Sequence, residues 1–385
     1  MGDIATFSKG KGISKSDIDD DGQLECIRYG ELYTTYNEII KDIHSRANIA
    51  KDDTNLSKSG DVIIPASGET AIDIATASCV LKDGVAIGGD LNIIRSDVDG
   101  VFNAYYLNNK HKHSIARLSQ GSSVIHLYPK YLEILKLNLP TKPEQQKIAA
   151  FLTTVDSKIE QLSKKQALLG EYKKGAMQQI FSQAIRFKAN DGGDYPDWEE
   201  LKLGEVARFR RGSFPQPYGN PEWYDDEDGK PFVQVYDVAG NMRLKSTTKR
   251  KISVLAQSSS VFVPKGNVVL TIQGSIGRIA LTQYDAYVDR TLLIFTGYIK
   301  EVNKQFFIYV IYLLFEIEKI KAPGGTIKTI TKEALTSFKL DLPCFDEQTK
   351  IANFLSSIDS KIEQVGKQLD KSKQFKKALL QQMFV

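Results

Sequence analysis

The side chains able to do chemistry are few, and their spacing does not assemble them. Of the four histidines, His44, His111, His113 and His126, only the stretch "NNKHKHS" brings two close together, and that i, i+2 pair reads as a solvated polar loop. No H-E-x-x-H metal helix and no G-x-S-x-G nucleophile turn occurs. "GKGISKSD" near Lys11 has glycine and lysine without the spacing that lets backbone amides cradle a phosphate, and "NPEW" at Asn220 lacks the second proline of an amino-methyltransferase N-P-P-[YF] tetrad. The acidic clusters "DIDDDG" at Asp17 and "YDDEDG" at Tyr224 lack the spacing of a calcium loop and read as surface turns. Cys26, Cys79 and Cys344 are scattered, which fits buried or idle thiols in a reducing compartment rather than a disulfide framework or a zinc site. Neither a catalytic constellation nor a metal or cofactor site emerges.

What remains is a set of cations at the edges of glycine-containing turns: Lys9, Lys11 and Lys15 in "FSKGKGISK", Arg208, Arg210 and Arg211 in "ARFRRGSF", Lys249, Arg250 and Lys251 in "TTKRKI", Arg278 in "GSIGR", and Lys328 beside Thr326 in "PGGTIKTI". Arg, Lys, Ser and Thr on short loops suit phosphate contacts and the reading of base edges. Any one of them could equally sit on an ordinary solvated surface, so only the group carries the reading.

The elements that would position these loops are repeated. Residues 136–181 align with 339–384 at a constant offset of 203 without a gap, and 23 of the 46 positions are identical. Unrelated sequences would agree at about 3 of them, given average residue usage. Within each copy the apolar residues recur at alternating intervals of four and three: Ile148, Leu152, Val155, Ile159, Leu162 and, in the second copy, Ile351, Leu355, Ile358, Ile362, Val365. That is a coiled-coil seam. Each copy follows a proline turn with acidic residues at the expected helix start, and 40 residues make a rod of about 60 Å. Gln166 and Lys173 in the first rod, with Ser372 and Lys376 in the second, interrupt the seam, and such breaks can fix register at a cost in stability. A rod could pair with its copy on a second chain, but pairing within one chain benefits from a high effective concentration.

The duplication extends faintly upstream. "GDIATFSKG" at Gly2 resembles "GEVARFRRG" at Gly204, "CIRYGELY" at Cys26 sits opposite "FVQVYDVA" at Phe232, and "GDVIIPASG" at Gly60 opposite "GNVVLTIQG" at Gly266. Short β-branched runs bounded by Gly, Pro and Asn predict strands, and "KQFFIYVIYLLFEIEKI" a core helix, so each globule reads as α+β. The expected order is a first globule over 1–140, a first helix over 141–190, a second globule over 191–343 and a second helix over 344–385. The net charge of +4 is distributed without any basic tail, so nucleic acid would have to be met by local patches. Apolar content of 42%, no long apolar run and no apolar N-terminal stretch predict a cytoplasmic protein.

The two copies of "LPxxxEQxKIAxFLxxxDSKIEQ", the trailing Lys173, Lys174, Gln178, Gln179 and Phe181 with their equivalents Lys376, Lys377, Gln381, Gln382 and Phe384, the "W-E-x-x-K-L-G-E" of Trp198–Glu205 and the "GSIGRIAL" of Gly274–Leu281 resemble the specificity subunits of type I DNA restriction-modification enzymes. The resemblance covers essentially the whole chain. It implies two target-recognition domains in a pseudo-two-fold repeat, separated by two long helices forming an antiparallel coiled coil, each domain reading half of a split site on double-stranded DNA. It also implies two methyltransferase subunits docked on the helices and carrying S-adenosylmethionine, and restriction subunits that cut DNA with ATP and Mg. The chain itself would then need no cofactor and perform no catalysis. A reader that fixes register serves an enzyme that must flip its target base, and two readers on one face of a duplex would lie about 34 Å apart. A scaffold whose helices join proteins without touching DNA is the competing expectation. One departure stands out: the second globule is preceded by "DYPDWEELKL", Asp194–Leu203, which has no counterpart before Gly2, and a circular arrangement would let the end of the second rod supply contacts near Met1.

Overall fold

A single run of strand-forming residues, "DVIIP" at Asp61–Pro65, is buried at every position, as the middle strand of a sheet covered on both faces must be. In the computed structural model, which describes residues 1–121, 124–321 and 330–384, this strand lies inside a five-stranded sheet. The order is Ala5–Lys9, Leu91–Ser96, Asp61–Pro65, Ser78–Val80, Ile39–Ile40. A second sheet runs Ser45–Ala47, Leu24–Ile27, Ala86–Ile87, Asn55–Leu56, with its two middle strands parallel and its outer ones antiparallel. Later in the chain both sheets recur. Ala207–Arg211, Leu292–Tyr298, Val268–Thr271 and Ile279–Leu281 repeat the first, and Arg250–Ile252, Lys230–Val233, Ala286–Val288 and Val261–Val263 repeat the second, again with a parallel middle pair.

One glycine pair shows how closely the frames agree. Gly10 and Gly212 each follow the first strand where it crosses the second sheet, and a Cβ there would overlap the carbonyl oxygens of Ile87 and Gly88, or of Val288 and Asp289. No side chain fits between two backbones at that crossing.

Four helices among the described residues reach ten residues: α1, Gly100–Asn109; α2, Lys142–Phe181; α3, Lys304–Lys321; α4, Phe345–Met383. α1 and α3 start alike, with Asp99 Oδ1 accepting from Phe102 N at 2.9 Å and Asn303 Oδ1 accepting from Phe306 N at 3.2 Å. The chain divides into two compact units, one comprising Met1–Lys165 with Val365–Val385 and the other Gln166–Gln364. Each long helix therefore gives its first part to one unit and its last part to the other.

In the first unit Ala149 and Leu152 of α2 pack with Leu379, Leu380 and Met383 of α4 and with Phe384 just beyond its end, beneath Phe102, Tyr105 and Tyr106 of α1. In the second, Met177 and Ile180 of α2 pack with Ile351, Ala352, Leu355 and Ile358 of α4, beneath Phe306, Tyr309 and Val310 of α3. The beginning of one long helix meets the end of the other in both places, so the pairing is antiparallel and intrachain. Of the seam residues, Leu152, Leu162, Ile351, Leu355, Ile358 and Val365 are buried, while Ile148, Val155, Ile159 and Ile362 are half-buried. Each fully buried Leu or Ile contributes about 1.5–3 kcal/mol relative to exposure, and the seam breaks at Lys173 and Lys376 are themselves drawn inward.

The strand Lys339–Leu342 pairs antiparallel with Glu199–Lys202, the end of the segment that the first copy lacks. The equivalent stretch of the first unit, residues 136–139, has no strand partner among the described residues. No helix among the described residues is long and apolar enough to cross a membrane.

Candidate nucleic-acid interface

The edge strand Ala207–Arg211 alternates, with Ala207 and Phe209 turned into the core and Arg208 and Arg210 left outside. Arg211 follows them into solvent at the strand's end, and a register shift between Arg208 and Phe209 bends the edge. None of the three makes an ion pair among the described residues. The corresponding strand Ala5–Lys9 places Thr6 and Ser8 on its outer face and Lys9 at its end. The inner positions of the two strands are alike and the outer ones have diverged.

A second group of cations is organised around aromatic rings. Arg250 lies with its guanidinium 3.8 Å from the ring centre of Tyr224 while pairing with Asp226 at 3.2 Å. Lys249 stands 5.1 Å over Tyr236, and Arg290 5.6 Å over Tyr218. Phe214 packs against both Tyr218 and Tyr224, so the rings form one cluster three residues beyond Arg211. Buried Gln234 ties it together, donating through Nε2 to the Tyr218 hydroxyl and accepting at Oε1 from that of Tyr236. The turn that carries Tyr236 is pinned by buried Asp237, whose carboxylate accepts from Gln234 N and Lys249 N at 2.9 Å each. Burial pushes the Asp237 carboxyl above the ordinary range against the pull of those two amides. Burial, with Asp237 next door, pushes the Tyr236 hydroxyl up to about 12, and Tyr218 is raised by burial and then by Asp289. Both stay protonated donors at neutral pH.

Arg278 is exposed but reaches the Val238 carbonyl at 3.4 Å, which places it beside the same turn. Lys251 donates to the Glu227 carbonyl at 2.5 Å. The structure thus gathers Lys249, Arg250 and Arg278 about residues 236–238 and leaves Arg208, Arg210 and Arg211 on the neighbouring edge strand. In the first unit Lys9, Lys11 and Lys15 are all exposed; the Lys11 ammonium lies 3.5 Å from the Asp52 carbonyl, and Asn55 Nδ2 holds the Lys9 carbonyl at 2.5 Å. Thr326 and Lys328 lie outside the described residues.

Sequence reasoning passed over Arg290, Gln234 and the tyrosines. Arg290 stands alone between two strands, and nothing local marks it. The spacing of aromatics in "PYGNPEWY" was the available signal, eclipsed by the acidic run that follows. Cations that stack on rings are held at little entropic cost and present their N–H groups outward, as contacts to phosphates or base edges require.

The architecture comprises two α+β domains of one design, each packed within its own unit on one part of α2 and one part of α4, with cation-bearing loops that differ between them. A family model described as type I restriction modification DNA specificity domain matches residues 1–169 and again 195–371, and the chain belongs to that family. It is 28% identical over 260 residues to a putative type I restriction enzyme specificity subunit, MjaX, of Methanocaldococcus jannaschii, covering 65% of this chain and 58% of that protein. It is 26% identical over 278 residues to the MjaVIII specificity subunit of the same organism, covering 68% of this chain and 64% of the relative. The chain thus spans about three fifths of the length of these curated relatives. Among solved structures, the S subunit of a type I restriction-modification system from M. genitalium superposes with a TM-score of 0.66 at 16% identity, over 100% of this chain and 94% of that one. A chain from a study of complex assembly and conformational transition in the type I system gives 0.54 at 18% identity, over 99% and 97%. These likenesses bear on the fold.

Proposed function

We propose that this chain is the DNA sequence-specificity subunit of a type I restriction-modification complex. Each recognition domain reads one half of a bipartite double-stranded target, the helices dock two methyltransferase subunits, and restriction subunits join that assembly. The chain contributes recognition and no catalysis; S-adenosylmethionine, ATP and Mg belong to its partners, and the complex works in the cytoplasm, where the DNA is. The observation that carries this reading is the contrast between the duplicated frame, kept down to the Gly10 and Gly212 crossings, and the outer face of the edge strand, Thr6 and Ser8 in one copy against Arg208 and Arg210 in the other. A shared frame with different exposed polar side chains is what two readers of different half-sites need.

Replacing residues 191–340 by those of a relative with another target tests it. Methylation mapped after assembly with the methyltransferase subunits is expected to change in one half-site and to stay unchanged in the other. A swap that leaves both halves as they were, in a complex that still methylates, overturns the reading in favour of a scaffold that does not touch DNA.

A further inference from the structure

Lys173 and Lys376 occupy the same place in the repeat, 203 residues apart, where an apolar side chain would continue the seam. Each crosses to the opposite long helix. Lys173 Nζ meets Asp359 Oδ1 at 2.6 Å, and Lys376 Nζ meets Asp156 Oδ1 at 2.8 Å. The second oxygen of each carboxylate accepts from a tyrosine of the recognition domain: the Tyr309 hydroxyl reaches Asp359 Oδ2 at 2.6 Å, and the Tyr105 hydroxyl reaches Asp156 Oδ2. Each ammonium also stands over the ring of that same tyrosine, at 5.0 and 5.2 Å. Both tyrosines are fully buried and the lysines are 15% and 18% exposed. Three elements, two long helices and the core helix of a domain, are thus closed into one triangle of polar groups, and the triangle is built twice.

A second contact accompanies each. Gln145 Oε1 accepts from Asp99 N at 3.0 Å and Gln348 Oε1 accepts from Asn303 N at 2.9 Å, so a buried glutamine of each long helix holds the first turn of the domain's helix. An apolar seam tolerates a slip because one Leu replaces another. A slip of one turn moves these partners about 5.4 Å apart and strands a largely buried ammonium and a half-buried carboxylate.

We propose that the two Lys–Asp–Tyr triangles are positioning keys that fix each recognition domain at one axial place on the helix pair, and so fix the spacing between half-sites that the complex accepts. The proposal rests on the DNA-reading function for its spacing consequence, and on the triangles alone for its mechanical one.

Two measurements judge it. In thermal unfolding of the full chain, Lys173→Met and Tyr309→Phe are expected to be non-additive, the second substitution lowering the midpoint by less than half as much once the first is present. Additive shifts overturn the key. In the assembled complex, Lys173→Met with Asp359→Met and Tyr309→Phe is expected to cut discrimination between the accepted spacer and spacers one base pair longer or shorter from about 100-fold to about tenfold. Methylation at the accepted spacer should persist. Unchanged discrimination overturns the proposal. Should the triple variant not fold, Tyr309→Phe alone, which keeps the ring and the ion pair, carries the same comparison with an expected loss of about threefold. A wild-type complex that methylates without regard to sequence refutes the DNA reading instead, and the unfolding cycle then decides the key by itself.

Discussion

Glu347 and Glu144 occupy equivalent places near the starts of the two long helices, yet only Glu347 is buried. It receives Arg186 Nε at 3.2 Å and Nη2 at 2.8 Å, and Trp198 Nε1 at 3.0 Å, and its hydrogen bonds hold the Arg186 guanidinium above its usual value. Glu144 lies exposed. A few turns further along, Asp156 and Asp359 are treated identically. The difference teaches where the repeat is kept: groups that face the helix pair and the domain together are duplicated, whereas groups that face the connecting segment 182–202 belong to the second unit alone.

Breaking the buried pair should show this most sharply. Glu347→Ala leaves Arg186 without its main partner and is expected to cost about 4 kcal/mol in denaturant unfolding, while Glu144→Ala stays within about 0.5 kcal/mol. The shared seam should respond evenly: Leu355→Ala and Leu152→Ala, both fully buried, are each expected to cost about 3 kcal/mol, and a large inequality would mean the two junctions are not equivalents. On DNA the asymmetry should return. Arg208→Ala with Arg210→Ala is expected to weaken binding by the assembled complex and to lower the slope of log affinity against log salt by about 2, and Thr6→Ala with Ser8→Ala to leave that slope unchanged.

The smallest effect concerns pH. Burial alone would push the Lys376 ammonium down, but Glu38 and Asp156 outweigh it and hold it above its ordinary value of 10.5. A raised value in the folded state means that the stabilisation is fully present below pH 10.5 and is lost as pH climbs through the folded value. Lys376→Met should flatten the alkaline limb of the stability profile, measured by unfolding between pH 9 and 11.5, and an unchanged slope would show that the pair is not felt.

The repeat made much of the fold legible. A 4,3 spacing of Ile, Leu and Val has one common outcome, and alternation in "ARFRR" gives away which side of its strand is wet. The breaks at Lys173 and Lys376 were visible as breaks, but their partners Tyr105 and Tyr309 lie in a helix about fifty residues upstream of the aspartates, and no local spacing connects them. The cluster of cations and aromatic rings was half legible. Cations in "TTKRKI" stand out by composition, whereas Arg290, Gln234 and Tyr218 meet only once two sheets are in place. Long-range polar contacts of that kind leave no periodic trace in the chain.

The two units also differ in how they are cut from the polypeptide. The second is one unbroken stretch, Gln166–Gln364, while the first needs Val365–Val385 to cover Leu152 and Tyr106. During synthesis at about 5–20 residues per second, the ribosome delivers everything the later unit requires before it delivers the final strip of the earlier one. The half that is translated first is therefore finished last, and until then its apolar face around Leu152 and Tyr106 lacks its final cover.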